Sequence, residues 1–166
     1  MSEKHELSWL WAPWRETYVT KSKKVKCIFC AAVKAKTKDP HFVTQTKHSF
    51  ILLNIYPYNA GHVMVSPKRH VSDISKLRQR ERIDLMDLIN SAQQLLKKIV
   101  KPHGFNIGMN IGVDAGAGFP KHLHVHIVPR WKSDTNFMPV ISKTRVLSQS
   151  LQSLCKEMRH ECQKRN

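Results

Sequence analysis

Between Lys121 and Pro129 the chain reads Lys-His-Leu-His-Val-His-Ile-Val-Pro, and this run restricts the fold more than any other. Histidine alternates with Leu, Val and Ile, the period of a β-strand whose two faces differ. His122, His124 and His126 then share one face, while Leu123, Val125 and Ile127 take the other. Such a strand needs an apolar layer on one side. On the other it needs polar partners, because burying an imidazole without them is costly. A neutral imidazole is available at pH 7, since its reference pKa is about 6.5. It then serves as nucleophile, base or metal ligand. A lone histidine would read as a satisfied core residue; three at period two read as a functional surface.

The remaining segments supply the layers. Phe50 to Leu53 is a compact apolar strand ending at Asn54. Pro57, Asn59 and Gly61 punctuate a turn, and Val63 to Val65 resume as a strand, so a hairpin is expected. Ile74, Leu77, Ile83, Leu85, Leu88, Leu95, Leu96, Ile99 and Val100 recur at threes and fours. That spacing predicts a helix over 72–100, capped by Ser72 or Ser75, with Pro102 and Gly104 past its end. Phe105 to Ile111 reads as a strand, and Gly112, Gly116 and Gly118 as a loop. From about residue 144 to the C-terminus, Val146, Leu147, Leu151, Leu154 and Met158 mark an amphipathic basic helix. The expected class is α+β: an antiparallel sheet of about five strands with a long central helix and a C-terminal helix. A length of 166 residues fits one domain. Trp9, Trp11 and Trp14 read as an N-terminal arm pinned by aromatics, and the lysine-rich stretch to about residue 40 as loop or short helix.

Composition narrows the function. A hydrophobic share of 41% and a charged share of 24% exclude a wholly disordered or collagen-like chain. No run of 18 apolar residues is present, so no membrane-spanning helix is expected. No basic region followed by an apolar stretch opens the chain, so a cytoplasmic protein is expected. Lys plus Arg is 28 against 12 for Asp plus Glu, a net charge of +16. That field favours nucleotides, polyphosphates, nucleic acid or an anionic surface without choosing among them. The glycine loop beside the histidines offers backbone N–H groups to an anion, which turns the reading toward phosphate chemistry. Four cysteines are too few for a disulfide scaffold, and Cys27-Ile28-Phe29-Cys30 reads as metal or redox chemistry.

The His-x-His-x-His run with its apolar neighbours resembles the signature of the histidine triad (HIT) family of nucleotidyl hydrolases and transferases. Asn54 to Pro67, with an Asn eight residues before the His of Gly61-His62, resembles the family's earlier segment and continues into Lys68-Arg69-His70. Cys27-Ile28-Phe29-Cys30 is similar to the zinc-binding start of many members. The tryptophan-rich start, the Tyr56-Pro57-Tyr58-Asn59 turn and the stretch Trp131 to Leu147 resemble the diadenosine polyphosphate phosphorylase and hydrolase branch.

The resemblance implies a two-step transfer. His124 would attack the α-phosphorus, and water or inorganic phosphate would then take the nucleotide from the histidine. The carbonyl of His122 would receive Nδ1–H of His124 and so present Nε2 to phosphorus. His126 would contact phosphate oxygens, with His62 as support. Asn54 matches the asparagine that holds the ribose, and Asn110 lies near a polar residue that contacts phosphate or the leaving group. Ala117, Gly118 and Phe119 stand where many members carry Gly-Gln-Ser/Thr, leaving backbone amides to stabilise charge. Lys121 and Arg130 flank the run as surface charges or phosphate ligands. Zinc-containing relatives imply a closed structural site of Cys27, Cys30, His70 and His122. His5, His41, His48, His103 and His160 lie in no motif. Members are commonly homodimers, and one is expected here. The competing readings are a deadenylase of nucleic-acid ends, and a non-catalytic zinc-dependent nucleotide- or nucleic-acid-binding protein.

Overall fold

The computed structural model describes residues 27–134 and 149–164. The tryptophan arm and the stretch 144–148 lie outside the described residues. Three α-helices are present among them: α1 (Ile28–Ala35), α2 (Gln79–Val100) and α3 (Leu151–Gln163). The strands are β1 (Phe42–Gln45), β2 (Ser49–Leu53), β3 (Val63–Pro67), β4 (Gly104–Gly108) and β5 (Val125–Arg130). They form one antiparallel sheet in the order β1-β2-β3-β5-β4. The α+β expectation holds, with α2 as the long helix and α3 as the terminal one. No helix among the described residues is long and apolar enough to cross a membrane.

Strand alternation sorts the core into two layers. Ile51, Leu53, Val63, Val65, Val125 and Ile127 face α2 and α3, where Leu85, Leu88, Leu95, Leu96, Leu154 and Met158 meet them. The apolar residues of α2 fall three and four apart, so one stripe covers the sheet. Each fully buried side chain of this size stabilises by roughly 1.5–3 kcal/mol. On the opposite side Phe42, Phe50, Leu52 and Met64 pack against Phe29 and Ala32 of α1. The histidines lie on this second, thinner side.

The structure corrects four boundaries. The helix predicted over 72–100 begins at Gln79. Asp73 accepts from the Ser75 backbone N–H at 2.7 Å and closes a separate 3-10 turn, Ile74–Lys76. Neither Ser72 nor Ser75 caps α2; the Glu81 carboxylate takes the Arg78 backbone N–H at 2.8 Å. The strand expected to reach Ile111 stops at Gly108, opposite His126. The terminal helix starts at Leu151. The histidine run becomes a paired strand only from Val125, opposite Val65. Two residues further along β3 stands Pro67, which has no N–H to continue the ladder. His122, in a bend, and His124 therefore sit just before the ladder, tied down by Leu123 N–H donating to Val71 O at 2.6 Å and Ser66 Oγ donating to Leu123 O at 2.7 Å.

Glu81 joins the segment after β3 to the start of α2. Arg69 Nε and Nη2 donate to its two oxygens at 2.8 and 2.6 Å. Those bonds hold its carboxyl down at about 2, against an ordinary value of 4.5. A depressed carboxyl stabilises the fold above its unfolded pKa, and that contribution is lost as pH falls through the folded one. Glu81→Gln is expected to lower stability by about 1–2 kcal/mol at pH 7. The gap to wild type should narrow as pH falls from 4.5 toward 2. Urea midpoints at pH 7 and pH 3 check this; an equal gap at both would contradict it.

Candidate functional site

Five of the histidines divide between two adjoining centres. In the first, Tyr58 N–H donates to His62 Nδ1 at 3.0 Å. That contact leaves the proton of a neutral His62 on Nε2, which lies 2.9 Å from His126 Nδ1. His62 then donates to His126, and His126 carries its own proton on Nε2. Burial lowers His126 to about 4, with His124 beside it adding to the effect, so its ring is neutral at pH 7. The Tyr58 ring lies over both, with centroids 4.6 Å from His62 and 5.9 Å from His126.

His124 lies 4.9 Å, ring to ring, from His126. Its Nδ1 is 2.8 Å from the carbonyl oxygen of His122, so Nδ1 donates and Nε2 keeps its lone pair. Burial also lowers its pKa, with the bond to His122 O opposing that shift. The outcome is a neutral imidazole with a fixed tautomer beside a second ring that presents an N–H.

The other centre is a cluster of Cys27, Cys30, His70 and His122, whose ligand atoms all lie within 4.8 Å of one another. His122 Nε2 donates to Pro67 O at 2.9 Å, which leaves Nδ1 unprotonated in the neutral ring. Burial, the largest cause, holds His122 down at about 4. Its Nδ1 lies 3.2 Å from Cys27 Sγ, 3.6 Å from Cys30 Sγ and 3.2 Å from His70 Nδ1. Cys30 Sγ is 3.3 Å from His70 Nδ1. A tetrahedral zinc with ordinary bond lengths separates sulfur from nitrogen by about 3.6 Å and two nitrogens by about 3.3 Å. The donor set and its spacing fit zinc, and the Pro67 contact supplies the outer partner that a ligating histidine needs. Burial raises the Cys30 thiol, with Cys27 reinforcing the rise; a divalent cation would reverse it.

The other expected residues fall around these centres. Asn54 takes the Tyr56 N–H on Oδ1 at 2.9 Å and has Nδ2 3.4 Å from both His62 ring nitrogens. Asn110 Nδ2 donates to Gly116 O at 3.3 Å and so braces the glycine loop. Ala117 and Phe119 are half-buried and Gly118 is exposed. His122 N–H donates to Phe119 O at 3.2 Å, closing the loop directly before the histidines. Arg130 turns away, with Nε 2.6 Å from Asp134 and Nη1 2.6 Å from Asn106. Lys121 is exposed. An open cavity of about 500 Å³, lined by Arg69, His70, Val71, Ser72, Lys76 and Lys121, adjoins the cluster but not His124 or His126. Two contributors escape sequence reasoning: Tyr58, which acts through its backbone N–H, and Phe29, which stacks on His124. Neither carries a spacing that distinguishes it.

Gly61 places His62. Its φ is +76°, and an added Cβ would stand 3.1 Å from Pro129 Cγ and 3.2 Å from Leu96 Cδ2. Gly61→Ala is expected to cost about 1–3 kcal/mol through backbone strain and crowding. Thermal denaturation measures it, and an unchanged Tm would contradict the account.

The model of the HIT domain matches residues 35–133. An AP-4-A phosphorylase from Mycobacterium tuberculosis is 36% identical over 160 residues, covering 91% of this chain and 82% of that protein. A bis(5'-nucleosyl)-tetraphosphatase (asymmetrical) from Schizosaccharomyces pombe is 41% identical over 90 residues, covering 54% of this chain and 49% of that protein. The crystal structure of a hypothetical histidine triad nucleotide-binding protein from Sulfolobus tokodaii has a TM-score of 0.67 and 26% identity, over 83% of this chain and 93% of that one.

Proposed function

The chain belongs to the HIT family, among its nucleotide hydrolases and phosphorylases, and on that premise we propose that it cleaves a diadenosine polyphosphate or related nucleotide through a nucleotidyl-histidine on His124. The observation that carries this reading is the 2.8 Å contact from His124 Nδ1 to His122 O. It fixes the proton on one nitrogen and leaves the other as nucleophile.

In the first step Nε2 of His124 bonds to the α-phosphorus while the bond from that phosphorus to its bridging oxygen breaks. For diadenosine tetraphosphate the leaving group is ATP. The ring, still protonated on Nδ1, then carries a positive charge shared with the His122 carbonyl. His126 offers its Nε2–H to a phosphate oxygen, as the chain from Tyr58 N–H through His62 supports. No proton need move, because a polyphosphate leaves as an anion. In the second step the acceptor oxygen bonds to phosphorus, the nitrogen–phosphorus bond breaks, and His124 is neutral again. Water gives AMP and releases a proton to solvent; inorganic phosphate, already an anion, gives ADP. The match to the phosphorylase spans far more of this chain than the match to the tetraphosphatase, which favours phosphate. Asn54 would hold the ribose, and the loop of Ala117, Gly118 and Phe119 would meet the leaving phosphates through its backbone amides.

Cys27, Cys30, His70 and His122 would hold a structural zinc, whose four protein ligands leave no open position for chemistry. Their role is to tie α1 to the histidine run. A homodimer is the proposed assembly. The outer edge of β4 and the residues after it expose Ile107, Ile111 and Val113, an apolar rim suited to a second copy. Light scattering should return twice the chain mass, and a monomer at micromolar concentration would oppose the assembly.

Product analysis with diadenosine tetraphosphate tests the reaction. ATP and ADP formed only when phosphate is present identify a phosphorylase; ATP and AMP without phosphate identify a hydrolase. No cleavage of this or other adenylated nucleotides would contradict the proposal.

A further inference from the structure

Phe29 stands between the two cysteines of the cluster, in the first turn of α1. It is 1% exposed, yet its neighbours are not only core residues. Its ring stacks on His124 with centroids 4.8 Å apart and planes 28° apart. It tilts against His122 at 5.1 Å. Its edge meets Phe119 of the glycine loop at 5.9 Å and Phe50 of β2 at 6.4 Å. One ring therefore touches the nucleophile of the proposed reaction, a residue of the cysteine–histidine cluster and the loop before the histidines. It closes one flat face of the imidazole while the His122 carbonyl fixes Nδ1.

We propose that Phe29 is a positioning residue for His124, resting on the reading of His124 as nucleophile. Two physical effects support this. A stacked ring restricts χ2 of His124, keeping Nε2 on the line of attack; a misaligned nucleophile loses much of its rate even when substrate still binds. The nucleotidyl-histidine also bears a positive charge on the imidazole, and an aromatic face stabilises a cation close above it. Substrate binding draws on neither effect. The Cys27–Cys30 turn thereby has a second role, since it carries the ring that covers the nucleophile.

The test compares Phe29→Leu with Phe42→Leu. Phe42 is also buried and stacks on Phe50 at 5.9 Å, with no histidine among its ring contacts to the described residues. Both variants lose a buried aromatic ring and should lose similar Tm. Phe29→Leu is expected to lower kcat about tenfold or more with KM within about twofold. Its metal content should match wild type. The ring-proton resonances of His124 should shift downfield as the aromatic face above them is lost. Phe42→Leu should leave kcat within about twofold and those resonances in place. Phe29→Met, equally apolar and more adaptable in shape, repeats the comparison if Phe29→Leu does not fold. Equal kcat in the Phe29 and Phe42 variants, or an unmoved His124 resonance, would overturn the proposal. An active His124→Ala would instead remove the reading beneath it.

Discussion

Replacing His124 with alanine is expected to lower turnover of diadenosine tetraphosphate on the order of a thousandfold or more. Among the described residues the Nδ1–H of this ring alone is bonded to the carbonyl of a neighbouring triad residue, which leaves Nε2 as a free lone pair. His126 has its Nδ1 occupied by His62 and presents a donor, so it does not substitute as nucleophile. His122 has both nitrogens engaged, one on Pro67 O and one in the cluster. Nucleotide binding should stay within a few fold, because phosphate contacts from His126 and the loop remain. His124 is buried, so Tm is read beside the rate to separate lost chemistry from lost fold. A variant that turns over within tenfold of wild type would contradict the assignment.

The second large effect concerns the cluster. Exchanging both Cys27 and Cys30 for serine is expected to remove one bound zinc per chain and to lower Tm on the order of 10 °C or more. The loss should be partial. The larger core of β2, β3, β5, α2 and α3 contains none of the four ligands, so the sheet should survive. The smaller core should loosen, because α1 delivers Phe29 and Ala32 to it. Turnover should fall with it, since the cluster and the nucleophile share His122: its ring is a ligand and its carbonyl orients His124. Elemental analysis and calorimetry check the two halves. Zinc-free wild-type protein with an unchanged Tm would contradict the structural role.

Much of this architecture is legible in the sequence, and the exceptions have specific causes. The period of α2 is strong because its stripe from Leu85 to Leu96 packs continuously on the sheet. Its start is misread because Asp73 and Glu81, both acidic, compete with the nearby serines for the turn's free N–H groups. β1 escapes notice because it has only four residues and a register shift between Phe42 and Thr44. Histidine alternation correctly puts the three rings on one side, but Pro67 cuts the ladder, a consequence visible only once the register is known. The four cluster positions rest on the resemblance to zinc-containing relatives; no spacing rule joins residues 27 and 122. Phe29 reads as a spacer between cysteines, and Tyr58 as a turn residue. Their contributions are a ring face and a backbone N–H, neither of which leaves a pattern in a one-dimensional string.

The central claim is that the nucleotide passes through His124. The most direct measurement is the intact mass of the protein quenched early in turnover of diadenosine tetraphosphate, followed by peptide mapping. The account predicts one added adenylate per chain, located on the peptide carrying His124 and absent from His124→Ala. Adenylate on another residue, or full turnover by His124→Ala, would contradict it.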